Sequence, residues 1–209
     1  MSKLLYIQAS PRGERSHSTT VAEAFLDTYA KEHPGDEIRV FNVFDEDLPP
    51  FDGHSVQAKY NLIHGKEHTP EDKAAWDRVV ALIEEFKSYD KYLLSVPMWN
   101  WSIPYRLKQY LDILLQPGFA FKYNDSGGLD GLMGGKAYVI YARGGQYPKG
   151  SPAAGWDHQS PYLEFILRDI MGIQIVDTMA VEATLGDPGA LAEHEAAAVA
   201  KAKEVAKSF

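Results

Sequence analysis

Three groups of residues in this chain have types and spacing that could do chemistry. The first is Ser10 with Ser16-His17-Ser18, followed by Thr19 and Thr20 and interleaved with Arg12, Gly13 and Arg15. Hydroxyls, backbone N–H groups and the positive end of a helix dipole together make a phosphate site; the same residues also serve as caps, turn formers and a solvated arginine pair. The second is Pro97-Met98-Trp99-Asn100-Trp101. Two flat apolar side chains flanking an amide that both donates and accepts suit a planar heteroaromatic ligand. They suit equally a loop that packs two Trp into the core. The third is Ala142-Arg143-Gly144-Gly145, where two residues without side chains let a backbone approach a ligand closely, or simply make a turn. There is no cysteine, so thiolate nucleophiles, disulfides and Cys-bound metals are excluded, and redox chemistry must come from a bound cofactor.

The elements that must position these groups are legible as apolar runs separated by helical patterns. Leu4-Leu5-Tyr6-Ile7, Tyr92-Leu93-Leu94 and Ala137-Tyr138-Val139-Ile140-Tyr141 read as strands buried on both faces. Ile38, Val40 and Val43 alternate, as an edge strand does; Ile173, Ile175 and Val176 open a fifth strand. Between them, spacing predicts helices from about Thr20, with a Thr20-x-x-Glu23 capping box or Ser18 as the cap, from Thr69-Pro70, from Ser102-Ile103-Pro104 with Ser102 as cap, from Ser160-Pro161 to Gly172, and after Asp187-Pro188. Residues 45–69 read as loop, and Gly118 to Gly128 as an extended excursion with a glycine turn. Strand and helix alternate without a composition break, which is the pattern of a single α/β domain over residues 1–209 with a parallel sheet. In such sheets ligands bind beyond the carboxyl ends of the strands. The three chemistry-bearing loops follow the first, third and fourth strands, so they share one rim if the first and third strands are neighbours.

Composition narrows the ligand. A net charge of −8 argues against nucleic acid or an anionic membrane as the main partner, and no run approaches the ~18 apolar residues of a membrane span. With no signal-peptide core at Met1, a cytoplasmic protein is expected. No G-x-G-x-x-G follows a strand and no G-x-S-x-G is present. A P-loop aligned on Gly135-Lys136 fails at Asp130 and Ala137. His64 and His68 have the spacing of a shared metal site on a helix, but Gly65 lies between them and no metal is expected. His17 and His158 read as rim or surface groups. A phosphate end, an aromatic end and a backbone-lined polar edge match the shape of FMN.

In this order, Ser10 with Ser16-His17-Ser18, Pro97-Met98-Trp99-Asn100-Trp101 and Ala142-Arg143-Gly144-Gly145 resemble the bacterial FMN-dependent NADH:quinone reductases and azoreductases, a flavodoxin-like family, along essentially the whole chain. The resemblance implies a five-stranded parallel sheet with helices on both faces and a homodimer with FMN at its interface. It implies that Ser10 and Ser16 to Ser18 bind the phosphate, and that Pro97 to Trp101 and Ala142 to Gly145 bind the ring system. The chain departs from the family where Trp99 and Trp101 replace the frequent Tyr and Phe, and where Ala142 replaces a frequent Ser. The implied reaction is ping-pong: NADH or NADPH reduces the flavin and leaves, then a quinone or an aromatic azo compound is reduced. Asn100, Gly144 and Gly145 are the expected catalytic contacts, and Trp101, Tyr123 and Phe165 the expected substrate walls. Arg12 and Arg143 are candidates for a 2′-phosphate contact. Two other readings use the same frame: an electron carrier with a protein partner, and a hydrolase with Ser10 as nucleophile.

Overall fold

A computed structural model describes the backbone of all 209 residues and the side chains of all but Leu62 and Ile63. Five parallel strands form the central sheet: β1 (Lys3–Gln8), β2 (Glu37–Asn42), β3 (Lys91–Pro97), β6 (Lys136–Ala142) and β7 (Gln174–Val181), in the order β2-β1-β3-β6-β7. Its two faces follow from the period of two along a strand. Leu4 and Tyr6 face one side with Leu93, Tyr138 and Ile140, where α1 (His17–Glu32) and α6 (Pro188–Ser208) cover them with Val21, Phe25, Tyr29, Ala198 and Ala202. Leu5 and Ile7 face the other side with Leu94, Val96, Val139 and Tyr141. There they meet α3 (Pro70–Lys87), α4 (Tyr105–Leu114) and α5 (Ser160–Phe165), through Trp76, Ile83, Leu107, Tyr110 and Leu163. The expected doubly covered α/β sheet is present, with β2 and β7 at its edges.

Local signals set most of the boundaries. Thr69 accepts from the Asp72 amide at 3.0 Å while the Asp72 carboxylate accepts from the Thr69 amide at 3.0 Å, a complete capping box with Pro70 behind it. Asp187 caps α6 through the Ala190 amide at 2.9 Å. The expected glycine excursion is a hairpin of β4 (Phe121–Tyr123) and β5 (Leu129–Gly131). A Cβ on Gly131 would lie 2.2 Å from the Gly172 nitrogen, so this hairpin can rest on the Met171-Gly172 turn before β7 only because Gly131 lacks a side chain.

Three expectations need correction. Residues 45–69 are not all loop: α2 (Gly53–Ile63) begins where the Asp52 carboxylate accepts from the Ser55 amide at 3.0 Å. The first helix starts at His17, before the Thr20 box, because the Thr20 hydroxyl turns back to the Ser16 carbonyl at 3.2 Å. Ser102 does not cap α4; its hydroxyl donates to the His158 carbonyl at 3.3 Å, and Pro104 precedes the helix without a side-chain cap.

At the amino edge of the sheet, Asp36 gathers the Tyr29 hydroxyl at 2.6 Å, the Ser2 amide at 2.7 Å and the Lys91 ammonium at 3.1 Å. These donors, the Tyr29 hydroxyl foremost, hold its carboxyl well below the usual carboxylate range. A carboxylate whose folded pKa is depressed stabilises the fold above its unfolded pKa, and that contribution is lost as pH falls through the folded one. Asp36→Asn is therefore expected to destabilise the protein at pH 7 and to shrink the loss of stability below pH 4, as urea unfolding between pH 7 and pH 2.5 would record. An acid limb as steep as the unmodified chain's would remove Asp36 from its cause.

Candidate flavin site

The carboxyl ends of β1, β3 and β6 lie side by side, with Gln8 opposite Ser95 and Pro97 opposite Ala142. The three loops therefore do share a rim. Backbone bonds lock them there: the Ala9 amide to Ser95 at 3.0 Å, Met98 to Ala142 at 2.8 Å and Arg143 to Val181 at 2.9 Å.

The first loop ends at the amino terminus of α1, a helix of 16 residues with Ser16 at its cap position and no side-chain cap. The first intrahelical bond runs from the Thr20 amide to Ser16, so the amides of His17, Ser18 and Thr19 have no protein acceptor among the described residues. Around them Ser10, Ser16 and Ser18 are buried. Ser16 and Ser18 share one bond of 3.3 Å, and Ser10 accepts a long one of 3.4 Å from the Arg12 amide. Buried hydroxyls with so few partners beside free amides are what a phosphate group would satisfy. His17 offers its amide here, while its ring pairs with Glu195 of α6 at 2.5 Å.

The second loop is a tight turn. Trp99 and Ser102 exchange bonds of 2.9 and 3.0 Å, and between them Asn100 and Trp101 both have positive φ, 47° and 67°. This is the geometry that a two-residue hairpin usually fills with Asn-Gly. Holding Trp in the left-handed region costs about 1–2 kcal/mol, and such strain gathers at functional sites. The Trp residues do not fill the core: Trp101 is 51% exposed, and half-buried Trp99 leans on Phe44 at 5.6 Å and Tyr105 at 6.3 Å.

The third loop faces the turn across a cleft of about 280 Å³ lined by Met98, Asn100, Trp101, Gly144, Gly145, Tyr147 and Leu185. The amides of Gly144 and Gly145 have no protein acceptor among the described residues. A Cβ on Gly144 would come within 2.8 Å of Leu185. Flat walls, two free amides and one side-chain amide fit the ring system of a flavin, and the uncapped helix fits its phosphate. Pro97 and Ala142 serve this cleft as paired strand ends beneath it.

Arg143 is turned the other way. It is 7% exposed and donates to Gln159, so its guanidinium is not available for a 2′-phosphate; Arg12, by contrast, is exposed. The expected walls Tyr123 and Phe165 are also not brought to the turn. Tyr123 is 75% exposed on the hairpin, whose base is tied through Met133 to Met171 at the amino edge of the sheet. Phe165 is half exposed at the end of α5. On its outer side the turn instead meets Trp156 and His158 across a second cleft of about 330 Å³. Trp156, Tyr147 and Leu185 join these clefts without a sequence signal of their own: Trp156 ends a single 3-10 turn, Ala154–Trp156, and the other two lie on loops. His64 and His68 each turn a ring nitrogen to a nearby backbone carbonyl, of Tyr60 and of Lys66.

Residues 2–206 match a family model described as a flavodoxin-like fold. The chain belongs to that family. It is 48% identical, over the whole of both chains, to an FMN-dependent NADH:quinone oxidoreductase of Nitratidesulfovibrio vulgaris. Among solved structures it resembles an azoreductase from Bacillus anthracis, with a TM-score of 0.90 and 29% identity over all of both chains. It also resembles an FMN-dependent NADH-azoreductase of the same species in complex with FMN, with a TM-score of 0.86 and 28% identity over 100% of this chain and 99% of that one. Within this flavodoxin-like member, no described helix is long and apolar enough to cross a membrane.

Proposed function

We propose that the chain is an FMN-dependent oxidoreductase that takes electrons from NADH, reduces quinones by two electrons, and cleaves aromatic azo compounds to amines in two such cycles. The observation that carries this reading is one rim holding an uncapped helix end with buried hydroxyls, a strained aromatic turn and two glycine amides without acceptors. The relatives' names support the choice of donor and acceptors.

FMN, when bound, supplies the two-electron chemistry that links the nicotinamide to the quinone. The chain's own residues bind and tune it. The amides of residues 17–19 and the hydroxyls of Ser10, Ser16 and Ser18 hold the phosphate. Met98 to Trp101 and Gly144 to Gly145 hold the ring, with the Asn100 side chain at its edge. The free amides of Gly144 and Gly145 stabilise negative charge there, as fixed dipoles do for any developing anion. Trp101 forms one wall for the acceptor. The lining of the inner cleft holds no carboxylate, histidine or lysine, which favours water as the source of the proton consumed with each quinone. Exposed Trp101, Tyr105, Tyr123, Trp156 and Phe165 give the surface the aromatic character of an interface, which supports a homodimer in which Tyr123 and Phe165 approach a second copy's site.

Anaerobic stopped-flow absorbance tests the proposal. FMN-loaded protein mixed with NADH is expected to lose its flavin band within the mixing cycle and to regain it on adding benzoquinone. A bleached band that quinone does not restore, or a band that NADH leaves intact, contradicts it.

A further inference from the structure

Arg143 is the most deeply enclosed cation near the rim, and the reaction proposed above makes no use of its charge. Its Nε donates to the Gln159 side-chain oxygen at 3.0 Å, and its Nη1 lies 3.0 Å from Asp157 and 3.4 Å from Glu182. The guanidinium also sits over the rings of Tyr141 and Tyr147, 5.3 and 5.8 Å from their centroids. Gln159, 0% exposed, passes the link on by donating to the Val96 carbonyl at 2.9 Å. One side chain thus ties the end of β3, the loop before α5 and the residues after β7 to the segment that carries Gly144 and Gly145. Asp157 is fixed in turn: Ser160 donates to it through its hydroxyl at 2.6 Å and its amide at 3.1 Å.

A buried ion pair of this kind adds little net stability compared with well-packed apolar residues, because desolvation offsets the attraction. What it supplies is one geometry. The backbone on either side of the glycines is already fixed, by the Arg143 amide to Val181 at 2.9 Å, the Thr184 amide to Arg143 at 3.0 Å and the Ala183 amide to Gly145 at 3.3 Å. The side-chain fork adds the constraint in the remaining direction, towards β3 and the Trp turn.

We infer that Arg143 and Gln159 are positioning residues that aim the Gly144 and Gly145 amides so that they bind reduced flavin more tightly than oxidised flavin. This rests on the functional reading above, since it needs the flavin ring in the inner cleft. The amides gain most when negative charge is present on the ring, and misaiming them costs the reduced form selectively. Lysine does not replace arginine at such a site, because it keeps the charge and loses the second, fixed donor nitrogen that reaches Gln159.

The test is a pair of anaerobic FMN titrations, one with oxidised and one with dithionite-reduced FMN, on the unmodified chain, Gln159→Met and Arg143→Lys. Both variants are expected to bind oxidised FMN within about threefold of the unmodified chain and reduced FMN about tenfold more weakly. A tenfold change in the ratio of the two affinities, reached when oxidised binding is unchanged, corresponds to a two-electron potential lower by about 30 mV. Should the buried lysine prevent folding, Gln159→Met, close in volume, gives the same readout. Equal weakening of both redox forms, or a lysine variant with the unmodified ratio, overturns the inference and leaves the functional reading standing. An unmodified chain that takes up no FMN overturns both.

Discussion

Ser18→Asp is expected to lower FMN affinity by a hundredfold or more while weakening riboflavin binding far less. Ser18 is fully buried in the first turn of α1, beside Ser16 and among amides that have no protein acceptor among the described residues. A carboxylate placed there meets the phosphate at close range. Two unit charges at about 4 Å interact by about 4 kcal/mol at the effective dielectric typical of such sites, which is roughly three decades in affinity before relaxation and salt reduce it. The fold is expected to tolerate the change, because a negative charge at a helix amino terminus is favourable. Riboflavin, which has the ring and no phosphate, separates the two ends of the site. Fluorescence titration of both ligands reads the result. Equal losses for FMN and riboflavin would mean that residues 16–18 hold something other than the phosphate.

Trp101→Gly is expected to make the protein more stable and less active. The positive φ of Trp101 (67°) is strained for a residue with a side chain and free for glycine, and Asn-Gly is the preferred pair for this turn. Removing the strain stabilises the fold by about 1 kcal/mol, or a rise of about 2–4 °C in Tm for a chain of this size. The half-exposed ring is at the same time a wall of both the inner and the outer cleft. Losing its stacking on a planar acceptor removes about 0.5–1.5 kcal/mol beyond simple area burial, so kcat/KM for naphthoquinones is expected to fall about tenfold. Calorimetry and steady-state kinetics on one preparation give both numbers. A lower Tm would show that the ring packs more than it strains, and unchanged kcat/KM would remove Trp101 from the acceptor site.

These two residues also mark where the sequence could and could not be read. Leu4–Ile7, Leu93–Leu94 and Val139–Ile140 announced themselves because a strand covered on both faces must be apolar throughout, and their order placed three polar loops on one rim. The Trp turn was visible as a loop between strand and helix, yet its strain was not. Type I′ geometry is betrayed by Asn-Gly, and Asn100-Trp101 hides it. Thr20-x-x-Glu23 has the pattern of a capping box, yet the Thr20 hydroxyl donates to the Ser16 carbonyl one turn back and the cap position is Ser16. Arg143 could not be assigned from sequence, because its partners lie 14, 16 and 39 positions away and only the folded sheet brings them together. Tyr123 and Phe165 stand exposed and away from the turn within one copy of the chain, so neither sequence nor a single copy brings them to the cleft.

A crystal structure of the chain grown with FMN tests the central claim most directly. The account predicts the phosphate within hydrogen-bond distance of the amides of His17, Ser18 and Thr19, and the ring edge against Asn100 and the amides of Gly144 and Gly145. FMN bound elsewhere, with the amino terminus of α1 and the glycine loop making no contact to it, would contradict the account.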